Sequence, residues 1–264
     1  MKSLHNSIGI FDSGVGGTSI WKEITTLLPN ENTIYLSDSK NAPYGNKSSE
    51  EIINLSIKNT EYLLELNCKI IVVACNTATT NAIEVLRKKY NIPFVGIEPA
   101  IKPAALQTKT NKIGILATQG TLSSQLFEKT SKTISKDIII REKIGYGLVE
   151  LIESGQMYST KITKLLNTYL KPLVQEKIDC LVLGCTHYPY LIPQIREIIG
   201  NNIKIIDSGR AVAKQTKAIL EKHNLLKTEN SIGFHQFYSN KNKKILEDLL
   251  VENLKNVSII EQNF

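Results

Sequence analysis

No stretch of the chain approaches the ~18 consecutive apolar residues that cross a bilayer, so no membrane-spanning helix is predicted. The opening residues Met1-Lys2-Ser3-Leu4-His5-Asn6-Ser7 lead into a short apolar segment, without the extended hydrophobic region of a secretory signal. A cytoplasmic location is therefore expected. Cysteines stand at 68, 75, 180 and 185 with no C-x-x-C pair, and no two histidines lie at i, i+4, so no metal site is predicted. In a reducing compartment those thiols should be free. There is no low-complexity linker and no compact basic block with interleaved aromatics. The net charge of +7, from 32 Lys+Arg against 25 Asp+Glu, is scattered over the chain, and no nucleic-acid partner is expected. Its densest group, Lys241, Lys243 and Lys244, reads as the solvated start of a helix.

What is present is a soluble globular composition, 42% apolar and 22% charged, in a chain of 264 residues. That length suffices for one large or two modest domains. Short apolar runs without polar alternation recur between helical patterns: Ile8–Phe11, Thr33–Leu36, Ile70–Ala74 and Phe94–Ile97. Such runs suit strands buried on both faces, hence an α/β fold of parallel sheets flanked by helices. Ser48-Ser49-Glu50-Glu51 is a capping box that opens one helix, and others are predicted over Gly17–Leu28 and Thr79–Tyr90. The pattern then restarts. Ile113–Thr118 echoes Ile8–Ser13, Cys185 echoes Cys75, and Ile205-Ile206-Asp207-Ser208 echoes Gly96-Ile97-Glu98-Pro99, at offsets between 105 and 110. Two pseudo-symmetric domains are expected, 1–99 with 208–264 and 100–207, with the active site between them. After a helix near Arg210–His223, a strand over Gly233–Tyr238, a helix from about Lys243 to Leu254 and a strand over Val257–Glu261 should complete the first domain.

Cys68 and Cys180 precede their apolar runs and read as packing residues. Cys75 and Cys185 follow theirs, at the strand ends where parallel-sheet proteins place chemistry. Each is followed by short polar groups, Asn76-Thr77 and Thr186-His187. A single strand-end cysteine is usually structural; two at equivalent positions point to thiols flanking one bound molecule. Asp12-Ser13-Gly14-Val15-Gly16-Gly17 ends the first strand, and its glycines would allow close approach to a ligand near a helix N-terminus. A dinucleotide site is the competing reading, with Asp38 as the ribose acid. However, G-x-G-x-x-G requires Gly or Ala where Ser19 stands, and Asp12 would meet a pyrophosphate with like charge. A plain tight turn is the third reading. Pro43-Tyr44-Gly45 is by itself only a turn signal.

Taken together, Asp12–Gly17, Pro43-Tyr44-Gly45, Ala74-Cys75-Asn76-Thr77-Ala78 and Gly184-Cys185-Thr186-His187-Tyr188-Pro189 resemble, in order, the signature motifs of the glutamate racemases. The resemblance implies a cofactor-independent enzyme that interconverts L- and D-glutamate and supplies D-glutamate for peptidoglycan, on two α/β domains. It implies Cys75 and Cys185 as opposing acid/bases, with Asp12 assisting Cys75 and His187, with Glu153, assisting Cys185. Its ligand contacts map onto Asp12, Ser13, Pro43, Tyr44, Gly45, Asn76, Thr77, Thr118, Thr121, Thr186 and His187. Glu153 lies in a weaker match, where Gly145-Tyr146 and Glu150 replace a Cys-Pro pair and a proline of many relatives, so Glu150 competes for its place. The implied partner is glutamate alone, with room for a homodimer.

The chemistry accords with these residues. Racemisation removes the α-proton from one face and returns one to the other, so two groups on opposite sides are simplest, one starting as thiolate and one as thiol. Nothing in the sequence marks a Schiff-base lysine, and the carbanion would be stabilised by oriented amides, Asn and Thr groups and exclusion of water. A related racemase, chiefly for aspartate, is the alternative within the enzyme class. A binding module that keeps the fold without turnover is the alternative outside it, opposed by the intact cysteines.

Overall fold

The computed structural model describes residues 6–134, 136–229, 231–250 and 256–264. The first residues, Met1 to His5, and the end of the helix expected to reach Leu254 lie outside the described residues.

The chain starts a parallel sheet with β1 (Ile8–Asp12), β2 (Thr33–Ser37), β3 (Ile70–Val73) and β4 (Phe94–Gly96). It then builds a second from β5 (Lys112–Ala117), β6 (Ile139–Ile144), β7 (Cys180–Gly184) and β8 (Lys204–Ile206). Finally it returns to the first with β9 (His235–Ser239) and β10 (Val257–Glu261). The strand orders are β10-β9-β2-β1-β3-β4 and β6-β5-β7-β8. The order 2-1-3-4 of the first sheet is thus repeated as 6-5-7-8 in the second. The register repeats as well: Ile8 faces Ile70, and Ile113 faces Cys180. At the third strand end the two halves slip. Val72 pairs Val95 while Val182 pairs Ile206, so Ile206 occupies the rung of Val95 and not of Ile97.

All four residues of β3 and all five of β7 are buried, as expected for strands covered on both faces. The capping box forms as predicted, with Ser48 and Glu51 satisfying each other's backbone amides. One helix begins earlier than expected, at Asn76 and not Thr79, because Cys75 itself caps it: its Sγ accepts from the Ala78 amide at 3.4 Å. Lys244–Leu250 is a helix whose lysines are solvated, with Lys243–Glu247 and Lys244–Asp248 ion pairs on its surface. The largest apolar cluster joins the two halves, including the strand residues Ile10 and Tyr35 and the helical Ile24 from the first and the helical Leu148, Ile152 and Leu166 with the strand residue Leu183 from the second. No described helix is long and apolar enough to cross a membrane.

Candidate active site

β1 and β3 are adjacent, so their C-terminal ends deliver Asp12 and Cys75 side by side. The Cys75 thiol donates to Ser13 Oγ at 3.6 Å, and that hydroxyl donates to Asp12 Oδ1 at 3.1 Å. Thiol and carboxylate are thereby linked through one hydroxyl. Asp12 is fully buried and its lone pairs are taken: the Ser13 amide and hydroxyl reach Oδ1, and the Gly17 amide and Thr186 Oγ1 reach Oδ2. Burial raises the Asp12 pKa above the ordinary carboxylate value, opposed by the nearby charge of His187 and the Thr186 hydrogen bond. Burial also pushes the Cys75 thiol well up, and the Asp12 charge adds to this; hydrogen bonds from Ala78 and Ser13 work the other way. Cys75 therefore favours the protonated form.

The end of β7 repeats this plan with different groups. Cys185 Sγ lies 3.7 Å from His187 Nδ1, and His187 Nε2 lies 2.6 Å from Glu153 Oε1. Because Glu153 accepts at that position, Nε2 carries the hydrogen and Nδ1 faces the sulfur. Burial works to lower the His187 pKa, but hydrogen bonds to Cys185 and Glu153 and the charges of both hold it well above the usual imidazole value. Of the two carboxylates the sequence left in competition, Glu153 is the one beside His187. Glu150, its rival, instead faces Asn46 Nδ2 at 3.4 Å on the surface.

The glycines after Asp12 have a different use from the one expected. A Cβ on Gly14 would fall 2.0 Å from Glu153 Oε1, and one on Gly16 would fall 2.2 Å from His187 Nδ1. Their close approach is to these two side chains, and the anionic group received by the loop is Glu153, which takes the Val15 amide at 2.6 Å. Asp38 is likewise committed: it accepts from Tyr44 Oη at 2.5 Å, Asn41 Nδ2 at 2.8 Å and Asn240 Nδ2 at 2.5 Å, so it anchors the Pro43-Tyr44-Gly45 turn.

Both thiols line one narrow cleft, together with Ser13, Pro43, Tyr44, Gly45, Asn76, Thr77, Thr118, Thr186 and His187. Asp12, Glu153 and Thr121 stand behind that lining. Thr121 joins Thr77 and Thr118 in a triangle of hydroxyls, at 2.8, 3.2 and 3.0 Å, that bridges the two halves. Asn76 is 3% exposed, and both polar atoms of its amide lack a protein partner. An unsatisfied buried amide is costly, so this side chain is built to hold something polar in the cleft. Val149, which also lines the cleft, was not singled out from the sequence; no feature of its helix sets it apart from other core positions. Ser39 was missed too, since one serine in a loop carries no signal. Among the described residues no group of three or more His, Cys, Asp or Glu is arranged to hold a metal ion.

Residues 9–216 match the family model described as Asp/Glu/Hydantoin racemase. A glutamate racemase of Herpetosiphon aurantiacus is 45% identical over 226 residues, covering 86% of this chain and 89% of that protein. The crystal structure of a glutamate racemase isoform from Bacillus anthracis superposes with a TM-score of 0.87 at 32% identity, covering 98% of each chain. That of the Escherichia coli glutamate racemase, solved in complex with L-glutamate, gives 0.85 at 31% identity over 97% of each.

Proposed function

Since the chain belongs to the Asp/Glu/hydantoin racemase family, we propose that it is a glutamate racemase that works without a cofactor and supplies D-glutamate for peptidoglycan. The observation that carries this reading is the pair of strand-end thiols lining a single cleft, each with its own route to a carboxylate: Cys75 through Ser13 to Asp12, and Cys185 through His187 to Glu153.

In this reading one thiolate removes the α-proton of glutamate and the opposite thiol delivers its proton to the other face, so the substrate loses one proton and gains one. Each turn leaves the two sulfurs with exchanged protonation, and the relays restore it. His187 is suited to exchange a proton with Cys185, since its Nδ1 faces that sulfur while Glu153 holds the other nitrogen. On the Cys75 side the Ser13 hydroxyl can pass a proton to Asp12, whose raised pKa makes it a competent acceptor. Ser13 and Thr186 are also the donors that Asp12 would release to receive the substrate ammonium, because hydroxyls turn more freely than amides. Asn76 and the threonine hydroxyls supply dipoles for the carboxylates and the developing carbanion. The cleft leaves only about 10 Å³ for the centre of a water-sized group, too little for glutamate, so the two sheets part to admit it and close over it. We propose 1–99 with 208–264 and 100–207 as the units that move.

The test is circular dichroism of L-glutamate incubated with the purified protein and no added cofactor. Decay of the signal to zero is expected. A signal that persists for glutamate, or that decays faster for aspartate, would overturn the reading.

A further inference from the structure

The Glu153 carboxylate is held from the opposite half of the molecule at both of its oxygens. Its Oε1 takes the Val15 amide and His187 Nε2, both at 2.6 Å, and its Oε2 takes the Ser39 hydroxyl at 2.7 Å. Ser39 follows β2 in the first sheet, whereas Glu153 ends a helix, Leu148–Glu153, between strands of the second. Ser39 is buried and its Oγ lies 3.0 Å from Ser37 Oγ, which is completely buried. A hydroxyl has one hydrogen; with that of Ser39 committed to Glu153, Ser37 must be the donor to Ser39. Two runs of hydrogen bonds therefore converge on Glu153: Ser37 donates to Ser39 and Ser39 to Oε2, while His187, whose other nitrogen faces Cys185, donates to Oε1.

We infer that Ser39, oriented by Ser37, is a positioning residue that fixes the Glu153 carboxylate and through it aims His187 at Cys185, so that one half of the molecule sets the reactivity of the thiol in the other. The geometry leaves Glu153 little other support. Its two oxygens define a plane, and a plane is fixed only when both are bound; the Val15 amide and His187 share one oxygen, and among the described residues Ser39 alone holds the second. Without Ser39 the carboxylate is free to turn about the Oε1 contacts, and the imidazole turns with it. Ser39 does not itself line the cleft, and its hydroxyl acts on the site through Glu153. The part of this inference that concerns turnover rests on the racemase reading above; the part that concerns the His187 ring does not.

The experiment therefore has two arms. In the first, kcat and KM for glutamate are measured for Ser39→Ala, Ser39→Thr, Glu153→Gln and the Ser39→Ala/Glu153→Gln double variant. Loss of one hydrogen bond to a charged group predicts a fall in kcat of about tenfold for Ser39→Ala, with KM within about twofold. Ser39→Thr should recover most of that loss, and the double variant should be no worse than Glu153→Gln within about twofold. In the second, ¹⁵N spectra of the His187 ring, assigned by its loss in His187→Gln, are recorded without substrate over a range of pH. Ser39→Ala should shift the Nε2 and Nδ1 signals and their titration, and Ser39→Thr should restore them. Additive losses in the double variant, a threonine variant as impaired as the alanine one, or ring signals unmoved by Ser39→Ala would each overturn the inference. A chain that racemises nothing while its ring signals follow Ser39 as described would refute the racemase reading and leave the positioning role standing.

Discussion

Replacing Glu153 with glutamine keeps the side chain's shape and removes its charge. The amide oxygen can take the place of Oε1 and still accept from the Val15 amide and His187 Nε2, while the NH₂ faces Ser39 Oγ, which can turn to accept. What is lost is the anion beside the imidazole. A hydrogen bond to a charged group contributes about 1.5–3 kcal/mol and a neutral one about 1, so roughly 0.5–2 kcal/mol of support for the imidazolium disappears. At about 1.4 kcal/mol per pKa unit, His187 should titrate about one unit lower than in the parent. Glu153 is among the groups that raise His187, so its removal moves the alkaline limb of the kcat profile toward lower pH. Near neutrality kcat should fall by about tenfold, with KM within threefold, because Glu153 does not line the cleft. A polarimetric assay across pH, with L- and D-glutamate in separate runs, measures both effects. A variant within twofold of the parent, with its limb unmoved, would refute the coupling of Glu153 to Cys185 through His187.

Cys75→Ser and Cys185→Ser should each lower kcat by at least ~10², the low end for a positioned acid/base, and a variant within tenfold would remove that sulfur from the mechanism. Stability should depend on His235, whose pKa burial lowers from 6.5 to about 4. A depressed folded-state pKa means its contribution is complete above pH 6.5 and is lost as pH falls through about 4, a change of about 3 kcal/mol. Trp21, the sole tryptophan, lies 5.2 Å from His235 and reports this by fluorescence in denaturant melts; His235→Asn should flatten the acid slope, and an unchanged slope would refute the assignment. Lys69 and Glu31 form a buried pair at 2.6 Å, so Lys69→Met should cost about 3–5 kcal/mol by stranding the carboxylate, and a thermal midpoint unchanged within 2 °C, roughly what 1 kcal/mol produces, would contradict that.

The parallel architecture was legible because buried strands such as Ile70–Val73 and Cys180–Gly184 are unbroken apolar runs, and the two halves repeat their strand order and, between β1–β3 and β5–β7, their register. β6 was not legible: it is an edge strand with Arg141, Glu142 and Lys143 in its middle, and its residues are half-buried or exposed, so its pattern resembles a loop. The helix start at Asn76 was misplaced because a cysteine sulfur, a weak acceptor, serves as the cap in place of Ser, Asp or Asn. Cys75 and Cys185 could be singled out by their place after matching strands. Their relays could not. The contacts of Glu153 with Val15, Ser39 and His187 join residues 138, 114 and 34 apart, and no local pattern encodes such pairings. The role of Gly14 and Gly16 was misread for the same reason: glycine announces that something comes close, and only the fold discloses that it is Glu153 and His187.

The central claim is that two thiols work on opposite faces of one carbon, and racemisation in heavy water tests it most directly. Early in the reaction, starting from either enantiomer, the newly formed glutamate should carry deuterium at Cα while the remaining substrate keeps its hydrogen. Product that retains the original hydrogen, or substrate that exchanges as fast as product appears, would contradict separate donor and acceptor groups.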